Sequence, residues 1–349
     1  MVVCYMTSLN ILKSPWPNVK SAVENIEKYM DGMRQTYLLF HAFDLNLFEH
    51  TVSEIDTNTL SKELGADDVM LQMFCEALAS IGFLNKTKNG FVNSLETTTY
   101  FVQSSPYCLI SSYNGMRREI EGWHSLQTLL KNGPKMLNRT QIFNEEWMQG
   151  IAASAKSGNV QNVVLDVSDV IDLHSVKRMM DIGGGHGLYS IAFSALNPDM
   201  EIWIMDLPDI LPVAKKNIFL YNATNVHLIP GDFTKDDIGS NYDLIFSSFN
   251  PSGSNISMIP ILKHALSPDG FLVIRQFKEE IKDDAVKNLG WNLYRFDDSN
   301  YPRRRFSGPD TVSIDQYNSE LISSGFEMIR RWDFDEVSEI TVMRLLGDR

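Results

Sequence analysis

Cysteine is scarce in this chain of 349 residues: Cys4, Cys75 and Cys108 are three in number and far apart. Such a set provides neither a disulfide framework nor the close pairs of a zinc site, so no metal is expected and a reducing, cytoplasmic setting is. Long apolar runs are missing too. None approaches the roughly 20 residues of a membrane span, and Met1 to Lys20 has neither a basic start nor a secretion-type apolar core. Basic residues are in deficit, with 31 Lys and Arg against 44 Asp and Glu and a net charge of −13. That balance argues against a broad nucleic-acid or anionic-membrane surface. Internal repeats and low-complexity segments are absent. What is present is ordinary for a globular protein, 44% hydrophobic and 21% charged, with a length that suggests two domains or one with a large extension.

The richest stretch is Met179-Met180-Asp181-Ile182-Gly183-Gly184-Gly185-His186-Gly187, an apolar run ending in an acid and then a turn with four glycines. Leu188 to Phe193 follows with helical apolar spacing. Glycines there permit positive φ and let a ligand approach the backbone. Asp206 closes the next apolar run 19 residues beyond Gly187. An acid at the end of the second strand of such a unit is placed to accept hydrogen bonds from ribose hydroxyls. The dinucleotide fingerprint requires Gly or Ala where this chain has Leu188. Asp181, just before the glycines, suits a cationic ligand and repels phosphates. S-adenosylmethionine carries an ammonium and a sulfonium and no phosphate, and fits better than a dinucleotide.

Before this stretch, residues 19–50 read as helical, and Thr57–Gly65 and Asp67–Gly82 as two capped helices. Phe83 to Val92 reads as a hairpin with an Asn89-Gly90 turn. Three helices and a hairpin form a winged-helix pattern. Its third helix carries Asp67, Asp68 and Glu76 and no Lys or Arg, so a packing and dimerisation module is favoured over a DNA reader. Residues 107–160 read as helices, with Phe143, Trp147 and Ile151 recurring every four residues. From residue 166 strands and helices alternate, which predicts a mostly parallel, doubly wound α/β sheet with Asp181, Asp206 and Asp232 at strand ends.

With Asp181-Ile182-Gly183-Gly184-Gly185-His186-Gly187, Asp206-Leu207-Pro208 and Gly231-Asp232-Phe233 in hand, the chain resembles the S-adenosylmethionine-dependent small-molecule O-methyltransferases, whose members include hydroxyindole and caffeate-type enzymes. Trp123-x-x-Leu126, Gly133-Pro134 and Ser324-Gly325-Phe326 are weaker matches. The resemblance implies a winged-helix dimerisation domain over residues 1–105, a helical layer over 106–165 that lines the substrate pocket, and a Rossmann-like class I methyltransferase domain over 166–349. It implies S-adenosylmethionine as cofactor, a small-molecule acceptor and a homodimer. Gly183 and Gly185 would lie along the methionine moiety, Asp206 on the ribose, Asp232 and Phe233 at the adenine, and Ser248 where the family often has Lys. Asn114, Phe143, Trp147, Ile151 and Asn250 would line the substrate pocket, with Trp291 and Arg295 covering it.

The family's catalytic His falls at Ser252, and its two orienting glutamates at Gln276 and near Thr311. Three readings follow. The acceptor is already nucleophilic; or a base comes from elsewhere, with His124 the candidate against a packed or solvent-edge residue; or the cofactor is held for non-methylating chemistry. A winged-helix S-adenosylmethionine sensor is the alternative outside enzymes.

Overall fold

The computed structural model describes residues 20–138, 144–250, 253–295, 304–306 and 310–347. The chain divides into two compact units, Met1–Ser105 and Pro106–Arg349. The helices of 106–165 thus share a unit with the sheet. Among the described residues no helix is long and apolar enough to cross a membrane.

In the first unit a helix of 25 residues, Lys20–Asp44, is followed by Leu47–His50, Thr57–Leu64 and Asp68–Ser80. Asp56 and Asp67 cap the last two, each accepting from a backbone N–H three residues on. Gly65 ends the first of these in the left-handed region at φ 63°. Strands β1 (Leu84–Lys86) and β2 (Phe91–Asn93) form the antiparallel hairpin. The expected Asn-Gly turn differs in one respect. Neither Asn89 nor Gly90 has positive φ, and Thr87 N–H to Gly90 O at 2.8 Å closes the loop. Gly90 is needed for space instead, because Phe91 also bridges Ile55 and a Cβ on Gly90 would fall 2.0 Å from Ile55 O. The long helix buries Phe40, Ala42 and Phe43 but exposes Val23, Ile26, Met30, Met33 and Tyr37.

In the second unit, β4 (Arg178–Ile182), β5 (Glu201–Asp206), β6 (Val226–Pro230), β7 (Tyr242–Ser248) and β8 (Leu266–Phe277) are parallel where they pair. Two antiparallel strands, β10 (Phe326–Asp333) and β11 (Ser338–Leu345), extend the sheet beyond β8, and a short β9 (Tyr294–Arg295) pairs with β3 (Lys135–Met136) elsewhere. The order is β10-β11-β8-β7-β4-β5-β6. After β6 the chain crosses back to β7 on the other side of β4, so the crevice at the carboxyl ends of β4 and β7 is the switch point where such sheets hold ligands. Strand alternation supplies both cores. Met179, Ile202, Ile204, Leu244, Phe246 and Val273 face helices Asn159–Ser168 and Leu188–Leu196. Met180, Ile182, Met205, Ile245, Leu272 and Ile274 face helices Ile259–Ala265 and Ile314–Ser323. β4 starts at Arg178 after Leu173–Ser175, a turn of 3-10 helix capped by Asp172.

Candidate functional site

The glycine loop stands at the carboxyl end of β4. Gly183, Gly185 and Gly187 have φ of 64°, 53° and 73°, conformations that cost side-chain-bearing residues about 1 kcal/mol or more each. Gly184 is required for a different reason: a Cβ there would lie 2.6 Å from Asp181 Oδ2 and 2.9 Å from Ile204 Cγ2. The loop is tied to its neighbours by Gly183 N–H to Met205 O at 2.8 Å and Gly187 N–H to Gly184 O at 2.8 Å. Helix Leu188–Leu196 begins after Gly187, which has no side chain to cap it. His186 does that instead, its Nδ1 accepting from Leu188 N–H at 3.1 Å. That bond assigns the Nε2–H tautomer, and burial, with Lys156 adding, pushes the imidazole pKa down to about 4. His186 is therefore a neutral capping group.

Two acids flank the loop. Asp181 is buried and accepts from Ser190 Oγ at 2.6 Å. Burial raises its carboxyl to about 7, with the Asp206 charge adding and the Ser190 bond opposing. Asp206 accepts from Gly185 N–H at 2.9 Å and Leu207 N–H at 2.7 Å. Burial raises its pKa too, and those two bonds oppose the rise. One lone pair on each oxygen stays open, the capacity a vicinal diol requires. Asp232 uses its carboxylate locally, accepting from Thr234 N–H and Oγ1 at 3.1 and 2.6 Å and pairing with Lys235 at 3.0 Å. Partial burial alone would raise it, yet the Thr234 and Lys235 bonds hold it below the usual carboxylate range. Phe233 is half-buried against the core with Met205 and Ile229. The Ser248 hydroxyl lies beside the Tyr189 phenol, buried and without a hydrogen bond of good geometry.

The expected substrate residues divide. Helix Glu145–Lys156 buries Met148, Ala152 and Ala155 rather than the Trp147/Ile151 stripe; Ile151 is exposed and Trp147 half-buried beside Leu207, Ile210 and Val213. Met148, which sequence reasoning missed, reaches the glycine loop, its Sδ and Cε 3.1 Å from where a Gly185 Cβ would stand. Small residues give that buried face a weak apolar signal. Asn114 is exposed on helix Ile110–His124. Phe143 lies outside the described residues. Asn250 is a brace: its Nδ2 donates to Ile182 O at 2.6 Å and its Oδ1 accepts from Ser247 Oγ at 3.1 Å. Trp291 belongs to an aromatic wall above β7 and β8. Phe249 stacks on Phe277 at 4.1 Å, Phe277 on Phe306 at 3.9 Å, and Trp291 meets Phe306 edge-on at 5.1 Å. Arg295 is half-buried on β9.

The two positions expected to hold orienting glutamates carry structural bonds instead. Gln276 is buried and its Nε2 donates to Asn250 O at 2.9 Å. Thr311 bridges Asn255. Ser252 lies outside the described residues. His124, the substitute candidate, is exposed at the end of its helix, as are His174, His227 and His264 on theirs or on their strand, and no described group orients the His124 ring.

The profile of the O-methyltransferase domain family matches residues 135–277. An uncharacterised protein of Methanocaldococcus jannaschii is 30% identical over 335 residues, covering 94% of this chain and 90% of its own. Acetylserotonin O-methyltransferase of Bos taurus is 23% identical over 60% of this chain and 66% of its own. The crystal structure of human N-acetylserotonin methyltransferase in complex with SAM superposes with a TM-score of 0.71 and 17% identity, covering 95% of this chain and all of that one. At that identity the match speaks for the fold.

Proposed function

This chain belongs to the S-adenosylmethionine-dependent O-methyltransferase family, and from that premise we propose that it methylates a small, flat acceptor that brings its own nucleophile: an acidic phenol or enol, an amine, a carboxylate or a stabilised carbanion. One observation carries the reading. The resemblance places the family's His at Ser252, and Gln276, at the first orienting position, is spent holding the Asn250 carbonyl. The remaining histidines of the unit are exposed or, for His186, held neutral.

The site fits the cofactor. A backbone cradle bare of Cβ atoms and an Asp206 carboxylate with open lone pairs suit a nucleoside with a charged amino-acid tail. Gly183 and Gly185 would follow the methionine part, Asp181 would face its ammonium, Asp206 and Leu207 would take the ribose, and Asp232 and Phe233 the adenine. When bound, the cofactor supplies an electrophilic methyl on a sulfonium. The chain's own contribution is alignment: Asp206 and the loop fix one partner, while Trp147, Met148 and the Phe249–Phe277 wall exclude water and present a flat apolar surface. Aromatic lining favours a flat acceptor. No residue of the chain is asked to remove a proton.

Transfer of labelled methyl from S-adenosylmethionine to a panel of phenols, enols, amines and keto acids tests this. Label is expected in acceptors that ionise readily, and equal transfer to weakly acidic alcohols would contradict it.

The first unit is read as a winged-helix module that pairs with a second copy. Val23, Ile26, Met30, Met33 and Tyr37 fall at helical spacing along one exposed flank. The exposed side of Asp68–Ser80 displays Val69, Met70 and Met73 in place of basic residues, which favours protein over nucleic acid. Sedimentation equilibrium is expected to give a dimer that Ile26→Glu with Met33→Glu converts to monomer. A wild-type monomer at micromolar concentration would refute the pairing.

A further inference from the structure

Arg275 is among the largest fully buried side chains of the molecule, at 2% exposure. A cation out of water costs several kcal/mol unless nearly all its donors are engaged. Here they are engaged by four residues from two helices and one hairpin. Nε donates to Ser338 Oγ at 3.2 Å and Nη1 to the Tyr189 hydroxyl at 2.9 Å. Nη2 donates to Asn159 Oδ1 and to Asp335 Oδ2, both at 3.1 Å. The guanidinium carbon also stands 4.4 Å from the ring centres of Phe249 and of Phe334. Five fixed donors on a plane with two stackable faces match this environment, and a lysine does not.

The placement points at the cofactor loop from two sides. Phe249 is held twice by Arg275, through its ring and through its N–H, which donates to Arg275 O at 2.9 Å. Phe249 is a non-glycine residue in the left-handed region, at φ 53°, a conformation that persists only where its surroundings enforce it. That turn aims Asn250 back at the glycine loop, where its carboxamide bonds Ile182 O at 2.6 Å and stands 3.2 Å from the Cβ position of Gly183. On the other side, Tyr189 lies in the first turn of the helix that follows the loop, its ring 5.7 Å from that of His186, and its neighbour Ser190 bonds Asp181. The same guanidinium thus ties the segment facing the loop to the helix leaving it.

We propose that Arg275 is a positioning residue for S-adenosylmethionine binding, acting through Phe249 and Asn250 on Gly183; this rests on the cofactor site described above. It touches no reacting atom. Its effect is to hold an otherwise strained turn in the conformation that shapes the loop.

Calorimetric titration with S-adenosylhomocysteine provides the test. Arg275→Lys keeps the charge but loses the fork and the stacking, and is expected to bind about tenfold more weakly, the loss of one charge-assisted hydrogen bond. Phe249→Leu is expected to weaken binding by a similar factor. The double variant should lose less than the product of the two single losses, because both changes cut the path through Phe249. A general packing role predicts losses that multiply, and that result, or wild-type affinity in Arg275→Lys, would overturn the proposal. Should Arg275→Lys not fold, Asp335→Asn and Ser338→Ala loosen the same guanidinium from the hairpin side, and unchanged affinity in both would overturn it equally. Absence of binding by the wild-type chain is a separate outcome, which removes the cofactor site on which the proposal rests.

Discussion

Asp206→Ala is expected to weaken S-adenosylmethionine binding by about a hundredfold or more. Two hydrogen bonds to an ionised carboxylate contribute on the order of 1.5–3 kcal/mol each, and 1.4 kcal/mol is a factor of ten. The substitution also strips the acceptors from Gly185 N–H and Leu207 N–H, so the loop loses the group that shapes it as well as the ligand's anchor. Asp206→Asn separates the two effects. Its carboxamide keeps one acceptor oxygen but turns a donor toward one of those N–H groups, so it is expected to bind better than Ala and worse than the wild type. Calorimetry on samples whose circular dichroism matches the wild type measures both. Wild-type affinity in Asp206→Ala would remove the ribose assignment.

Asp181→Asn is expected to move stability and binding in opposite directions. Burial raises the Asp181 carboxyl from 3.8 to about 7, so the unliganded folded state binds this proton more tightly than the unfolded chain does. Stability from this group is therefore fully present below pH 3.8 and lost as pH rises through about 7. Asparagine carries no charge and keeps an acceptor for Ser190 Oγ. Above pH 8 it should stabilise the unliganded protein by on the order of 2 kcal/mol, a gain that vanishes toward pH 4 in thermal melts. The cofactor's ammonium favours the ionised carboxylate, so the variant should bind more weakly at neutral pH. In the wild type, affinity should fall by up to about tenfold per unit of pH below 7, and in Asp181→Asn that dependence should be shallower, leaving only what Asp206 contributes. Parallel pH profiles for the two proteins would contradict this role.

Much of the frame is legible in the order of residues, for physical reasons. Strands β4, β5 and β6 announce themselves because each is an apolar run closed by Gly, Asp or Pro, β7 and β8 by the apolar runs at their centres, and the parallel sheet follows from their alternation with helices. Asp181 and Asp206 stand out because an acid at a strand end beside glycines serves no core. Other features depend on contacts that spacing does not encode. Trp147 and Ile151 form a louder apolar stripe than Met148, Ala152 and Ala155, yet the quieter face is buried, because small side chains allow the helix to approach the loop. The burial of Arg275 has no signal in the sequence, since only Tyr189, Asn159, Ser338 and Asp335, gathered from distant parts of the chain, make it tolerable. Gln276 reads as a lost glutamate; its bond to Asn250 O shows what it does instead. His186 sits at the variable position of the glycine motif, and its capping bond to Leu188 depends on a ring orientation no motif records.

The most direct measurement is the pH dependence of methyl transfer under single-turnover conditions, with the cofactor saturating and a series of related phenolic or enolic acceptors of different acidity. If the acceptor arrives as its own nucleophile, the midpoint of each profile follows that acceptor's pKa, and the midpoints spread as widely as the acidities do. A shared midpoint across the series, set by a group of the protein and abolished by one substitution, would show that the chain supplies a base after all.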